Sequence, residues 1–129
     1  MDSNLINVSK IETFFNKLFE GKLSDNIFFG ECPKTVSDKW KDLVVVTCTY
    51  SSMRDAYARA YATIELYTKP NANGSKNVKL MDEMEMKLVK LVEESRDEHY
   101  NPQLGSSFAD YDNIRNLHCN TYTVEIFIV

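Results

Sequence analysis

The stretch Ala56-Tyr57-Ala58-Arg59-Ala60-Tyr61-Ala62-Thr63-Ile64-Glu65-Leu66-Tyr67-Thr68 decides how this chain folds. Every second residue from Ala56 to Leu66 is small or aliphatic, and between them stand Tyr57, Arg59, Tyr61, Thr63, Glu65 and Tyr67. Alanine favours helix by intrinsic propensity. Strict period-two alternation, however, is the pattern of a strand with two unlike faces. The Thr-Ile-Glu-Leu-Tyr end is β-branched and aromatic, so the segment is read as a strand. Its alanine face lets a helix approach closely, while the other face presents tyrosine and arginine.

Working outward, residues 43–50 (Leu-Val-Val-Val-Thr-Cys-Thr-Tyr) form the clearest strand, and residues 51–55 read as the turn between the two. Upstream, Ile11, Phe14, Phe15, Leu18 and Phe19 recur at helical spacing. Ser9 and Glu12 have capping-box spacing, Gly21 stands where a C-cap residue belongs, and Leu5, Ile6 and Val8 allow a start nearer Ser3. Between this helix and the first long strand, Ile27–Phe29 is a candidate short strand, and Gly30 and Pro33 interrupt regular structure.

Downstream, Pro70, Asn73, Gly74 and Ser75 mark a wide turn. A second helix is predicted over residues 78–96, with Leu80, Met81, Met84, Leu88, Leu91 and Val92 inward and Glu83 and Lys87 as a surface pair. Residues 98–116 are polar and irregular and read as a long loop. It is either a tip or an arm that orders against a neighbour, with Phe108, Tyr111, Ile114 and Leu117 available to anchor it or to form a short strand. The last segment alternates again: Tyr122, Val124, Ile126 and Ile128 point one way, and Thr121, Thr123, Glu125, Phe127 and Val129 the other.

The expected architecture is a single α+β domain over residues 1–129. It has a mainly antiparallel sheet of about four strands and two helices packed on one face. The chain's 129 residues, 43% hydrophobic and 26% charged, suit one such domain. Fifteen basic against nineteen acidic residues, a net charge of -4, argue against non-specific nucleic-acid binding, and no Lys/Arg cluster stands in the sequence. Cys32, Cys48 and Cys119 are widely spaced and read as free thiols in a reducing compartment. Neither a leader segment nor a membrane-spanning run is legible, so a cytoplasmic protein is expected.

No phosphate loop, dinucleotide fingerprint, zinc-protease or nucleophile-elbow pattern is present. His118 with Cys119, a Cys48–Cys119 approach with His99, the Asp110/Asp112 pair and a Glu65/Glu125 pair are the residues that chemistry would use. None has the spacing of a metal or catalytic site, so no cofactor, metal or catalytic residue is expected. The tyrosine-and-arginine face is different, because those residues combine apolar area with polar reach and are enriched in binding hot spots. Tyr57, Arg59, Tyr61 and Tyr67, with Phe108 and Tyr111 from the polar segment, are therefore the suspected interface of a homo-oligomer. The alternative is that the connector over residues 22–39 folds back across that face.

This order of elements resembles the tail terminator, or tail-completion, proteins of long-tailed bacteriophages and prophages, across nearly the whole chain. The resemblance implies a non-enzymatic subunit made in the host cell and incorporated in the virion. It would form a ring at the head-proximal end of the tail tube, stop tube growth and prepare the head–tail joint. Its partners would be the tail tube and connector proteins. A different small assembly or adaptor domain, including a phage neck protein, is the other reading.

Overall fold

The computed structural model of the protein describes residues 8–54, 57–98 and 100–128. The elements are α1 (Val8–Phe19), β1 (Ile27–Phe29), β2 (Asp42–Arg54), β3 (Tyr57–Thr68), α2 (Val78–Glu94), β4 (Tyr100–Asp112) and β5 (Leu117–Ile128). The five strands make one mixed sheet in the order β1-β2-β3-β5-β4. β1 runs parallel to β2, and all other neighbours are antiparallel. The α+β expectation holds, with one more strand than predicted.

That extra strand is the segment read as a loop. Residues 100–112 pair with β5 from Tyr100 opposite Ile128 to Asp112 opposite Leu117, and only residues 113–116 form the turn. The reason it reads as loop is physical. β4 is an edge strand whose residues from Gly105 to Tyr111 are all exposed, so burial does not select apolar residues there. Its register also shifts between Leu104 and Ser107, which breaks any period-two pattern. A Cβ added at Gly105 would stand 2.6 Å from Thr123 Oγ1, so the bulge places the two strands too close for a larger residue.

A second difference lies at residues 51–54, which continue β2 instead of turning. The ladder to β3 persists to Arg54 opposite Tyr57 after a bulge between Cys48 and Tyr50. Backbone pairing holds polar residues in a strand where their composition alone suggests a turn.

The helices fit their signals with small changes. Ser9 lies within α1 and does not cap it; its carbonyl accepts a bond from Thr13 Oγ1 at 2.9 Å. The possible start near Ser3 lies outside the described residues. Gly21 follows the helix with a φ of 70°, the left-handed conformation expected just past a helix end. Asn77 caps α2 by accepting from the Leu80 amide at 3.1 Å. The helix ends at Glu94, two residues short of the prediction, and Ser95 Oγ there donates to the Val92 carbonyl.

Both helices cover one sheet face. Ile11, Phe15 and Phe19 of α1 and Met81, Met84, Leu88 and Val92 of α2 are buried against Val44, Val46, Ala60, Ala62, Ile64, Leu66, Val124 and Ile126. The alanines at 60 and 62 leave room for the helix layer, as their alternation predicts. A polar tie fixes α2 on β5: Glu85 accepts from the Tyr122 hydroxyl and from Asn120 Nδ2, and Lys76 Nζ reaches Asn120 Oδ1. On the opposite face a smaller cluster of Leu43, Val45, Tyr67, Leu117 and Cys119 lies under Phe28, Cys32, Val36 and Trp40. The connector between β1 and β2 thus folds over one end of that face only.

Candidate functional site on the open sheet face

The remainder of that face is the candidate site. β3 and β5 lie side by side, so Arg59 stands opposite Phe127, Tyr61 opposite Glu125, Thr63 opposite Thr123 and Glu65 opposite Thr121. Directly opposed residues share a face. Arg59 Nε lies 3.0 Å from Glu125 Oε1, and its guanidinium carbon sits 4.9 Å from the centre of the Phe127 ring. Arg59 Nη1 donates to the Tyr61 hydroxyl at 3.4 Å, which in turn donates to Glu125 Oε1 at 3.3 Å. The Arg59 and Glu125 side chains are each 35% exposed, so water still screens the pair and its contribution to folding is small. What the network supplies is order: a planar cation and two aromatic rings held in register on neighbouring strands. Surfaces of this kind bind with little loss of side-chain freedom.

Tyr67 has a different fate. It is 7% exposed and donates to Glu65 Oε2 at 2.8 Å, and burial first, then the neighbouring Cys119 and Glu65, pushes its phenol far above the ordinary range. The fold-back alternative therefore holds at the Tyr67 end of the face. The connector covers Tyr67, while Arg59 and Tyr61 stay open. Tyr57 opens β3, but its side chain lies outside what the structure describes, as does Val129.

Phe108, opposite Thr121, joins the same face and is 60% exposed. Tyr111 does not. It pairs with His118, its ring centre lies 4.8 Å from the histidine ring, and its hydroxyl donates to Asn116. Between Phe108 and Tyr67 runs a groove of about 500 Å³ whose lining includes Glu65, Asp110, Asp112 and Thr121, and no lysine, arginine or histidine.

The turn beyond the groove is well held. Asp112 Oδ1 accepts the amides of Ile114 and Arg115, and Asp112 Oδ2 lies 2.7 Å from Arg115 Nη1. Arg115 also donates through Nε to the Pro33 carbonyl at 2.8 Å and through Nη2 to the Cys32 carbonyl at 3.3 Å. Burial pushes the Asp112 carboxyl up, but bonds from the Arg115 amide and guanidinium and the Ile114 amide outweigh it and hold the group below its usual value.

The other chemical candidates are not brought together. Cys48 packs with the helix-side core and Cys119 with the opposite cluster, so the two thiols face away from each other. His118 and Cys119 are successive strand residues on opposite faces, and His99 lies outside the described residues. Glu65 opposes Thr121 and Glu125 opposes Tyr61, which separates those carboxylates along the strands. Burial raises the thiols of Cys48 and Cys119 to about 11 each. Among the described residues no group of three His, Cys, Asp or Glu side chains could hold a metal ion. None of their helices is long and apolar enough to cross a membrane.

One feature escaped the sequence reading. Lys22, Lys39, Lys41 and Lys87 line a single pocket of about 400 Å³ formed by residues 21–26, the end of the connector at residues 39–42 and α2. They come from three segments of the chain, so no run of basic residues announces them. No family model matches the chain, and no curated protein matches it.

Proposed function

We propose that this protein is a non-enzymatic subunit of the tail-completion type, forming a ring that caps a phage tail tube and prepares the head–tail joint. The observation that carries the reading is the ordered, half-exposed Arg59–Tyr61–Glu125–Phe127 patch, on a sheet whose other face is already filled by two helices. Such a surface suits a protein partner, since it combines aromatic area with a guanidinium and a carboxylate already held in register. The element order, with its sheet and two helices on one side, supports the same reading by its resemblance to tail terminators. The patch would equally serve another oligomeric assembly or adaptor domain, such as a neck protein, and that is the second reading.

The test is to inactivate the gene in the phage or prophage that carries it and image the particles. Tubes of uncontrolled length beside unjoined heads are expected. Wild-type protein should restore virions and Tyr61→Glu should not. Normal tails with defective necks would select the second reading, and ordinary virions without the protein would refute both.

A further inference from the structure

We propose that copies of this chain associate head to tail, the acidic groove on the open sheet face of one copy seating against the lysine-lined pocket of the next. The inference rests on the ring-forming reading and names the surfaces that would close the ring.

Charge complementarity between two parts of the same molecule carries it. The chain as a whole has a net charge of -4, yet Lys22, Lys39, Lys41 and Lys87 converge on one pocket. Among the described residues none of those four ammonium groups is held in a hydrogen bond or ion pair, whereas Lys69 and Lys76 are. Three acids also line the pocket, but Asp42 is 9% exposed and turned to Ser24 Oγ at 2.7 Å, leaving Asp25 and Glu83 at the rim. The lysines therefore outnumber the accessible carboxylates.

The groove has the reverse character. Glu65, Asp110 and Asp112 line it without any basic residue, although Arg115 partly neutralises Asp112 from outside. Phe108, 60% exposed, supplies an apolar anchor at its edge.

Geometry then selects the symmetry. The groove is built by β3, β4 and β5, and the pocket by α2 with residues 21–26 and 39–42; the two share no lining residue, so they are separate patches of one molecule. A two-fold pairing of groove with groove would set carboxylate against carboxylate. Groove against pocket is a heterologous contact, which closes into a ring when the rotation between copies allows it. Opposed potentials of this kind fix register, speed encounter and suppress the like-charged pairing.

The test uses two variants of the full chain, each damaged in one patch. Asp110→Lys spoils the groove, and Lys39→Ser with Lys41→Ser empties the pocket of charge; all three positions are exposed, so the fold should be unaffected. By light scattering the wild type should exceed the 14.9 kDa of one chain and fall toward it as salt rises. Each variant alone should be monomeric. An equimolar mixture should give dimers and nothing larger, because one good groove meets one good pocket and both free ends are dead. That dimer also proves both variants folded. A wild type that stays monomeric at every concentration, or variants that assemble as the wild type does, would overturn the proposal. In the second case the ring reading would survive on other surfaces, and the gene-inactivation experiment decides it independently.

Discussion

Replacing Arg115 with methionine keeps most of the side chain's bulk while removing its charge and its bonds, and so measures how firmly the β4–β5 turn is tied to the connector. Three contacts are lost: to the Pro33 carbonyl at 2.8 Å, the Cys32 carbonyl at 3.3 Å and the Asp112 carboxylate at 2.7 Å. A bond from a charged donor contributes about 1.5–3 kcal/mol when well buried, but these are partly solvated and the longest is weak. The Arg115 side chain is 23% exposed and that of Asp112 20%, so water recovers part of each contact. The expected loss is about 2 kcal/mol, or a fall in Tm of roughly 6–10 °C for a domain of this size.

Urea unfolding followed by circular dichroism would measure this loss. Asp112→Asn should cost less than Arg115→Met, because the carbonyl contacts to the connector survive it. The pH dependence has a definite sign. The Asp112 carboxyl is held below its ordinary value, so its stabilising share is present above the unfolded pKa of about 3.9 and is lost as pH falls through the lower folded one. The gap between wild type and Arg115→Met should therefore narrow in acid without closing. A loss under about 0.5 kcal/mol, or Asp112→Asn costing more than Arg115→Met, would refute the idea that Arg115 clamps the connector.

Other consequences are as direct. Leu88, 0% exposed between α2 and the sheet, should lose about 2–5 kcal/mol on replacement by alanine, read from the urea midpoint at unchanged slope. Gly105→Ala should cost about 1–2 kcal/mol through the Thr123 hydroxyl, and much less in a Thr123→Ala background. Equal losses in the two backgrounds would show that the close approach is not real. With their thiols at about 11, Cys48 and Cys119 should react with iodoacetamide at pH 8 roughly a hundredfold more slowly than in the urea-unfolded chain. The same shift means that folding stability is full below the ordinary thiol range and declines as pH rises from about 9 toward 11. A flat profile over that window would contradict the burial of these groups.

The residues from Ala56 to Thr68 show why some of this architecture is legible in sequence. Local alternation directly encodes which side chains meet a helix and which do not, and both outer helices announce themselves by apolar spacing. β4 carries no such code, because an exposed edge needs only backbone pairing to be a strand, and its bulge erases the period. Residues 51–54 read as a turn for the same reason, since a ladder partner holds them extended whatever their polarity.

The site divides along the same line. That Arg59 and Tyr61 share a face opposite the alanines follows from period two alone. That Tyr67, on the same face, lies under the connector was decided by the tertiary structure, because the path of residues 30–41 depends on packing against Leu43 and Val45. The pairing of Arg59 with Glu125 and Phe127 likewise needed the register of β3 on β5. The lysine pocket depends most on the fold: charges separated along the chain leave no local pattern, and only the fold converts their positions into a common field.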